Sequence, residues 1–397
     1  MDSRERKLLL ATCFGHFTSH FNMLVFPALV LPLTKLLELD IGQVLGLSFW
    51  MYLLFGITAL PWGLLADRWG ARPILMLFFL GSGLCGLASA VYINDPAILV
   101  WTLAGIGFFS GAYHPAGLGL IARGVERVSL GMAYNGIFGN LGLAAGPLFA
   151  GLFYWLWGPR AAYLALGFLN LIGLASMFLL VTSEPPRPSG AQARDTTGLL
   201  LPFLILLAAM MLGGFVYRGA TVTLPAYFEL NTPTILQWLS NLWPGDPSAN
   251  LVATLITSFI FVVGAIGQYV GGRFGDRFDL RWGYLLFHAI AFIAVIQLPY
   301  LSNLPLALVA MGYLFFLLGM QPIENTLVAR LSPPAFKSTA YGTKFVLTFG
   351  IGSLSVKMAS AVQETWGISH VFTAIGIATL ALLAIIGLLI WRTEPMK

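Results

Sequence analysis

Gly63-Leu64-Leu65-Ala66-Asp67-Arg68-Trp69-Gly70-Ala71-Arg72 returns 209 residues later as Gly272-Arg273-Phe274-Gly275-Asp276-Arg277-Phe278, followed by Arg281. Each copy is a short charged turn between two long apolar runs, so the chain repeats a whole membrane-scale unit. Other pairs keep nearly the same register: Pro115 with Pro322 at an offset of 207, Trp157-Gly158 with Trp366-Gly367 at 209, and Pro27-Ala28 with Pro225-Ala226 at 198. Two similar halves follow, 1–182 and 199–397, joined by residues 183–198, whose Pro, Ser, Gly and charge mark a linker.

Of the 397 residues 58% are hydrophobic and 9% charged, against about 25% charged in a soluble domain. That excludes a soluble globule. The 30 Phe, 11 Trp and 13 Tyr exclude disorder, and two cysteines, Cys13 and Cys85, both in apolar runs, exclude a disulfide scaffold. Twelve runs approach the roughly 20 residues that a bilayer-spanning helix needs: 8–33, 43–65, 73–93, 97–122, 131–156, 160–182, 199–228, 250–271, 283–301, 304–329, 338–361 and 369–391. Backbone groups in lipid must pair internally, and these runs lack the period-two alternation of barrel strands, so helices are predicted. The fold class is therefore all-α, integral to the membrane, with two pseudo-symmetric six-helix bundles.

The formal charge of +5 is not pooled in one patch, which argues against nucleic acid as a partner. Sixteen of the 21 basic residues fall in one set of loops, whereas the opposite set holds Lys35 and Arg160. By the excess of Lys and Arg on the cytoplasmic side, both termini are expected in the cytoplasm. The run from Leu8 reads as a first span rather than a removable leader, and residues 231–249 as the one sizeable extracytoplasmic loop.

Gly63-x-x-Ala66-Asp67-Arg68-x-Gly70-x-Arg72 resembles the signature loop between the second and third helices of the major facilitator superfamily. Gly142-x-x-x-Gly146-Pro147-x-x-Ala150-Gly151 resembles that family's antiporter signature, with Ala133 and Ala150 where glycines are expected. A narrower likeness, to fosmidomycin-resistance-type drug exporters, rests on Gly15-His16-x-x-x-His20, on Pro27-Ala28-Leu29-x-x-Pro32-Leu33 and on Gly111-Ala112-Tyr113-His114-Pro115-Ala116-Gly117. The chain departs from those exporters at His20, where they tend to carry an acid.

The resemblance implies rocking halves around a central cavity lined by spans one, four, seven and ten. It also implies that Asp67 and Asp276 latch the cytoplasmic side by facing the starts of spans eleven and five, near Ser338 and Ser129. Gly63, Gly70 and Gly272 would permit close approach there, and Arg68, Arg72, Arg277 and Arg281 complete the two gating motifs. Gly142 and Gly146 are expected to clear a face of span five for a neighbour, with Pro147 inviting a bend.

Ionisable groups inside spans are costly and point to function. His16 and His20 lie one helical turn apart, Tyr113 and His114 sit together in span four, and Arg218 matches His20 under the 198 offset. Gln321 matches His114, Glu324 follows it by one turn, and Lys344 stands at comparable depth in span eleven, so Glu324 and Lys344 are expected to pair, directly or through Asn325. With spans one, four, seven and ten lining the cavity, the resemblance implies that His20, His114, Arg218 and Gln321 converge there on one solute. His288 and Lys357 read as structural and interfacial.

These residues suggest a secondary transporter, not an enzyme, working by alternating access in a bacterial-type inner membrane. Proton-coupled efflux of a small anionic or zwitterionic solute is expected, because Arg218, Lys344 and Glu324 leave the interior near +1. Organic-anion uptake or exchange would use the same charges. A membrane-embedded enzyme or a receptor is the remote alternative: zinc-protease, phosphate-loop and serine-elbow motifs are missing. No cofactor is expected, and no metal, since the His16/His20 pair could ligate one but no second cluster completes a tetrahedral site. The chain is expected to act as a monomer, with protons and lipid as its other partners.

Overall fold

The computed structural model describes residues 2–181, 200–242, 245–331 and 343–396, apart from the Ser129 side chain. The expected linker 183–198 and Ser338 lie outside the described residues. Among the described residues ten helices are long and apolar enough to cross a membrane, and two bent pairs, each taken as one span, bring the number to twelve. In chain order the spans are Ser3–Ala28 with Val30–Leu37, Ile41–Ile57 with Ala59–Trp69, Ala71–Val91, Pro96–Gly124, Leu130–Trp157, Pro159–Leu180, Leu200–Asn231, Ala249–Gly275, Leu280–Tyr300, Asn303–Leu331, Thr343–Trp366 and Ser369–Arg392.

Prolines explain where spans break. A proline ring clashes with the carbonyl four residues before it and removes one hydrogen bond. Pro32 thus follows the 52° bend at Leu29, and Pro61 the 43° bend at Thr58. Pro115 follows the interruption between Ser110 and Tyr113, and Pro322 follows the one at Met320. The two last prolines are a repeat pair, so both halves break their fourth helix at the same level. Gly158 and Gly367, another repeat pair, take positive φ of 84° and 90° where the fifth helix of each half hands over to the sixth. Such an angle is open to glycine at little cost.

The antiporter-like glycines of span five do pack. A Cβ on Gly142 would lie 2.2 Å from the Phe17 carbonyl oxygen, and one on Gly146 would lie 2.8 Å from Leu24 Cβ, so spans one and five touch backbone to backbone there. Pro147 stays inside one continuous helix, Val128–Trp157.

The end bearing the termini and the opposite, far end differ. At the far end the halves meet: Ser360 donates to the Gly42 carbonyl at 2.7 Å, Asn250, which also donates to Glu229 of its own half at 2.8 Å, donates to the Ala28 carbonyl at 2.7 Å, and Thr254 fills the space beside Gly151. Deeper in, Gly56 of span two lies against the backbone of Gly350 in span eleven. The loop expected to be simply extracytoplasmic holds a short helix, Pro233–Leu242, with no buried residue.

Candidate functional site

A cavity of about 250 Å³ opens between the halves on the terminal side of these contacts. Irregular backbone surrounds it: span four resumes at Tyr113–Gly124, span ten resumes at Gln321–Leu331, and span eleven runs through a π-helical stretch, Val346–Gly350. Non-helical backbone at membrane depth is tolerated where it lines a cavity, and each irregularity here delivers a side chain to the wall.

On the N-terminal side the wall is imidazole. His16, His20 and His114 all line the cavity. His16 Nε2 lies 3.1 Å from His20 Nε2, and ring centroids are 4.8 Å apart for His16–His20 and 5.3 Å for each of them with His114. His16 Nδ1 donates to the Asn135 carbonyl at 2.8 Å, and its ring stacks on Tyr113 at 5.1 Å. Tyr113 is itself held: its hydroxyl donates to the Thr12 carbonyl at 2.7 Å and accepts from Asn135 Nδ2 at 2.7 Å. Tyr113 therefore orients His16 from behind rather than lining the cavity. His114 reaches the other half, with Phe345 at 4.9 Å.

On the C-terminal side the wall is charged. Lys344 Nζ lies 2.7 Å from Glu324 Oε1 and 2.5 Å from Asn325 Oδ1, the pairing that depth alone suggested. Tyr284 of span nine donates to the second Glu324 oxygen at 2.8 Å, and His288 packs edge-on against Tyr284 at 4.8 Å. Both ring nitrogens of His288 are buried without a hydrogen-bond partner. Sequence reasoning missed Tyr284 and read His288 as peripheral; the signal was their four-residue spacing, which puts both on the helix face turned to span ten. Gln268 links Gln321 to the other half: Asn140 of span five donates to Gln268 of span eight at 2.8 Å, and Gln268 donates to Gln321 at 2.7 Å.

Arg218 is not brought to the wall. Its neighbour Tyr217 lines the cavity, while Arg218 is 3% exposed and its guanidinium lies 3.8 Å from the centroid of the Tyr52 ring. The Tyr52 hydroxyl donates to the Met23 carbonyl at 2.7 Å, which fixes that ring. Glu229, the acid nearest to Arg218 in sequence, bonds Asn250 instead, and no carboxylate pairs with Arg218 among the described residues. Lys357, read as interfacial, lies over Phe49 at 4.9 Å.

The two signature loops also differ. Asp67 and Asp276 are exposed and make no hydrogen bond across the halves among the described residues. A Cβ on Gly63 would stand 3.2 Å from Pro115 and one on Gly272 3.8 Å from Pro322, so the repeat pairs meet in matching ways. Arg281 departs from the gating expectation: it is buried, gripped by Asp279 at 2.8 Å, and donates to the carbonyls of Ile390 and Thr393. Met396 N adds a bond to Asp279 at 2.9 Å. Burial works against the Asp279 charge, but Arg281 and these donors hold its carboxyl down at about 2.

Comparison with known proteins gives the same architecture. Residues 9–242 match the family description Major Facilitator Superfamily. The chain is 24% identical to an uncharacterized MFS-type transporter of Bacillus subtilis, over 98% of this chain and 93% of that one. It is 23% identical to a multi-drug resistance efflux pump of Streptococcus pneumoniae, covering 91% and 90%, and 24% identical to an enterobactin exporter of Escherichia coli, covering 84% and 81%. Among solved structures, a bacterial homolog of the human lysosomal transporter Spinster, inward-facing and unoccupied, superposes with a TM-score of 0.77 at 14% identity, covering 99% and 98%. Twelve apolar spans, a repeat that survives in three dimensions and a family match over more than half of its length agree: the chain is a multi-pass membrane transporter of the major facilitator superfamily.

Proposed function

We propose that the chain exports a small zwitterionic or anionic organic solute in exchange for protons, by alternating access across a bacterial inner membrane, as a monomer with cytoplasmic termini and with rigid units at 1–182 and 199–397 joined by 183–198. The observation that carries this reading is the charge balance around the cavity. Glu324 and Lys344 neutralise each other in the wall, while Arg218, buried next to the wall residue Tyr217, stands without a carboxylate among the described residues, so its field favours an anionic group in the cavity. A volume of about 250 Å³ lies below the roughly 300–1,000 Å³ of drug-sized sites and supports a small metabolite.

The Glu324–Lys344 pair supplies a route to proton coupling. Glu324 faces Lys344 and Asn325, Tyr284 and His288 of span nine, and Gly213 of span seven. A zwitterion whose ammonium takes Glu324 competes with a proton for that carboxylate, which is exchange. A pure anion that takes Lys344 instead frees Glu324 to bind a proton, which is co-transport and hence uptake. The names of the efflux-pump and exporter relatives support exchange.

The test is reconstitution in liposomes with an internal pH dye and a panel of zwitterionic and anionic solutes. Exchange predicts solute-driven proton movement opposite to the solute, abolished in Glu324→Gln. Proton movement in the same direction as the solute would establish co-transport, and solute flux without proton movement would remove Glu324 from the coupling.

A further inference from the structure

We propose that His16, His20 and His114 form a binding site for a divalent transition-metal ion, Zn²⁺ fitting best, with its fourth coordination position turned toward the cavity. Their candidate ligand nitrogens all lie within 4.8 Å of one another. Two imidazole nitrogens on a tetrahedral zinc at about 2.0–2.1 Å stand about 3.3–3.4 Å apart, and the His16 and His20 Nε2 atoms are already 3.1 Å apart. The third ring needs to close by little more than 1 Å (~1.4 Å against that same tetrahedral edge), within reach of a side-chain rotation.

The surroundings are those of a ligand set. Zinc-bound histidines commonly donate their other ring N–H to a carbonyl or carboxylate, which fixes the tautomer. His16 does so: Nδ1 donates to the Asn135 carbonyl, leaving the Nε2 lone pair pointing at His20. With His16 Nδ1–H given to the carbonyl, the 3.1 Å contact is a bond from His20 Nε2–H to His16 Nε2; metal binding needs only that His20 carry its proton on Nδ1. The rings cannot drift apart easily, because Tyr113 stacks on His16 and is anchored to Thr12 and Asn135, while Phe55 and Phe345 flank His114 at 5.8 and 4.9 Å. A side chain at Gly139 would strike the His16 ring at 2.6 Å, so that glycine makes the room the ring occupies. The sequence spacing showed a pair only, because the third ligand comes from span four, where the Pro115 break turns it inward. Imidazole suits Zn²⁺, Cu²⁺ and Ni²⁺ and not Mg²⁺ or Ca²⁺. Three neutral ligands and an open fourth position match zinc sites that keep a place for water or another small donor.

The test is Zn²⁺ titration of the purified full-length protein in nanodiscs against a chromophoric chelator, with Co²⁺ absorption as a geometric readout. One Zn²⁺ per chain is expected, with tetrahedral Co²⁺ bands. His20→Ala and His114→Ala should each weaken binding at least by the ~10–100-fold that outer-shell losses alone can reach, and His370→Ala, exposed at the start of span twelve, should leave it unchanged. Absence of Zn²⁺ binding by the wild-type protein, purely octahedral Co²⁺ bands, or binding that survives in the triple variant His16→Ala/His20→Ala/His114→Ala would overturn the site. Because the wild-type spectrum needs no variant and no transport, this outcome is read separately from that of the proton-exchange assay.

Discussion

The two walls of the cavity occupy corresponding places in a repeated fold and carry opposite chemistry. His114 and Gln321 are repeat partners, each immediately before the proline that breaks its span, yet one sits in a cluster of three imidazoles and the other beside a Glu–Lys pair. The N-terminal wall offers neutral ligands held by carbonyl bonds and ring stacking. The C-terminal wall offers compensated charge. The duplicated backbone thus fixes where polar groups enter the cavity, and the side chains at those points are free to differ. Breaking one wall should therefore damage a different property than breaking the other.

The largest effect is expected at the C-terminal wall. Lys344→Met leaves Glu324 buried beside Tyr284 with no cation to pair with, and removing one partner of a buried pair costs about 3–5 kcal/mol. Expression and Tm should fall sharply. Glu324→Gln together with Lys344→Met removes both charges and should recover Tm to near wild type while transport stays uncoupled from protons. Additive losses in this double-mutant cycle would show that the two residues act independently. By contrast His20→Gln in the N-terminal wall should leave Tm nearly unchanged.

Arg218 comes next. Its face-on contact with Tyr52 ties span seven of one half to span two of the other, and a desolvated cation–π contact is worth about 2 kcal/mol. Arg218→Lys keeps the charge and loses the planar face that stacks on Tyr52, which loosens the seam that shapes the cavity, so solute affinity should drop about tenfold through that seam, the equivalent of roughly 1.4 kcal/mol. Tyr52→Phe keeps the ring and should lose far less. Equal affinity in wild type and Arg218→Lys would mean that the Arg218–Tyr52 seam does not shape the solute site.

How much of this could be read from the sequence depended on whether the information was local. Span number, the repeat and the Glu324–Lys344 pairing follow from hydropathy, spacing and depth, which are properties of one helix or of two adjacent ones. The breaks near Pro32, Pro61, Pro115 and Pro322 were not read from the sequence, and the one proline read as inviting a bend, Pro147, lies inside a continuous helix. The convergence of His114 on His16 and His20, the Tyr284 bond to Glu324 and the turn of Arg218 toward Tyr52 depend on the rotation of one helix against another. Residue spacing does not encode that rotation.

The signature loops sharpen the comparison at smaller cost. With the far end sealed, Asp67 and Asp276 are exposed, the arrangement expected when a terminal-side latch is released. Asp67→Asn weakens only the opposite state, and a helix-dipole contact is worth about 0.3–1 kcal/mol. The balance should shift about two- to fivefold toward terminal-side opening, measured as faster labelling of a cysteine at Leu118 in a background without Cys13 and Cys85. An unchanged labelling rate would reduce the motif to a topology signal.

The smallest effect separates the loops from each other. Where the N-terminal copy has Gly70 at φ 107°, the C-terminal copy has Asp279, which caps span nine and clamps Arg281 and the stretch from Ile390 to Met396. Its carboxyl is held at about 2, below the ordinary 3.8. A carboxylate with a lowered folded-state pKa contributes stability that is complete above the unfolded pKa and fades as pH falls through the folded one. Asp279→Asn should therefore lower Tm by a constant amount from pH 5 to 8, with the difference shrinking only below about pH 4. The pair sits at the membrane edge and is partly screened, so the loss should be about 0.5–1 kcal/mol, or about 1–2 °C in a chain of this size. An Asp279→Asn protein whose Tm matches wild type from pH 5 to 8 would show that the clamp does not depend on the Asp279 charge, and that the C-terminal stretch is held by the Arg281 bonds to backbone carbonyls alone.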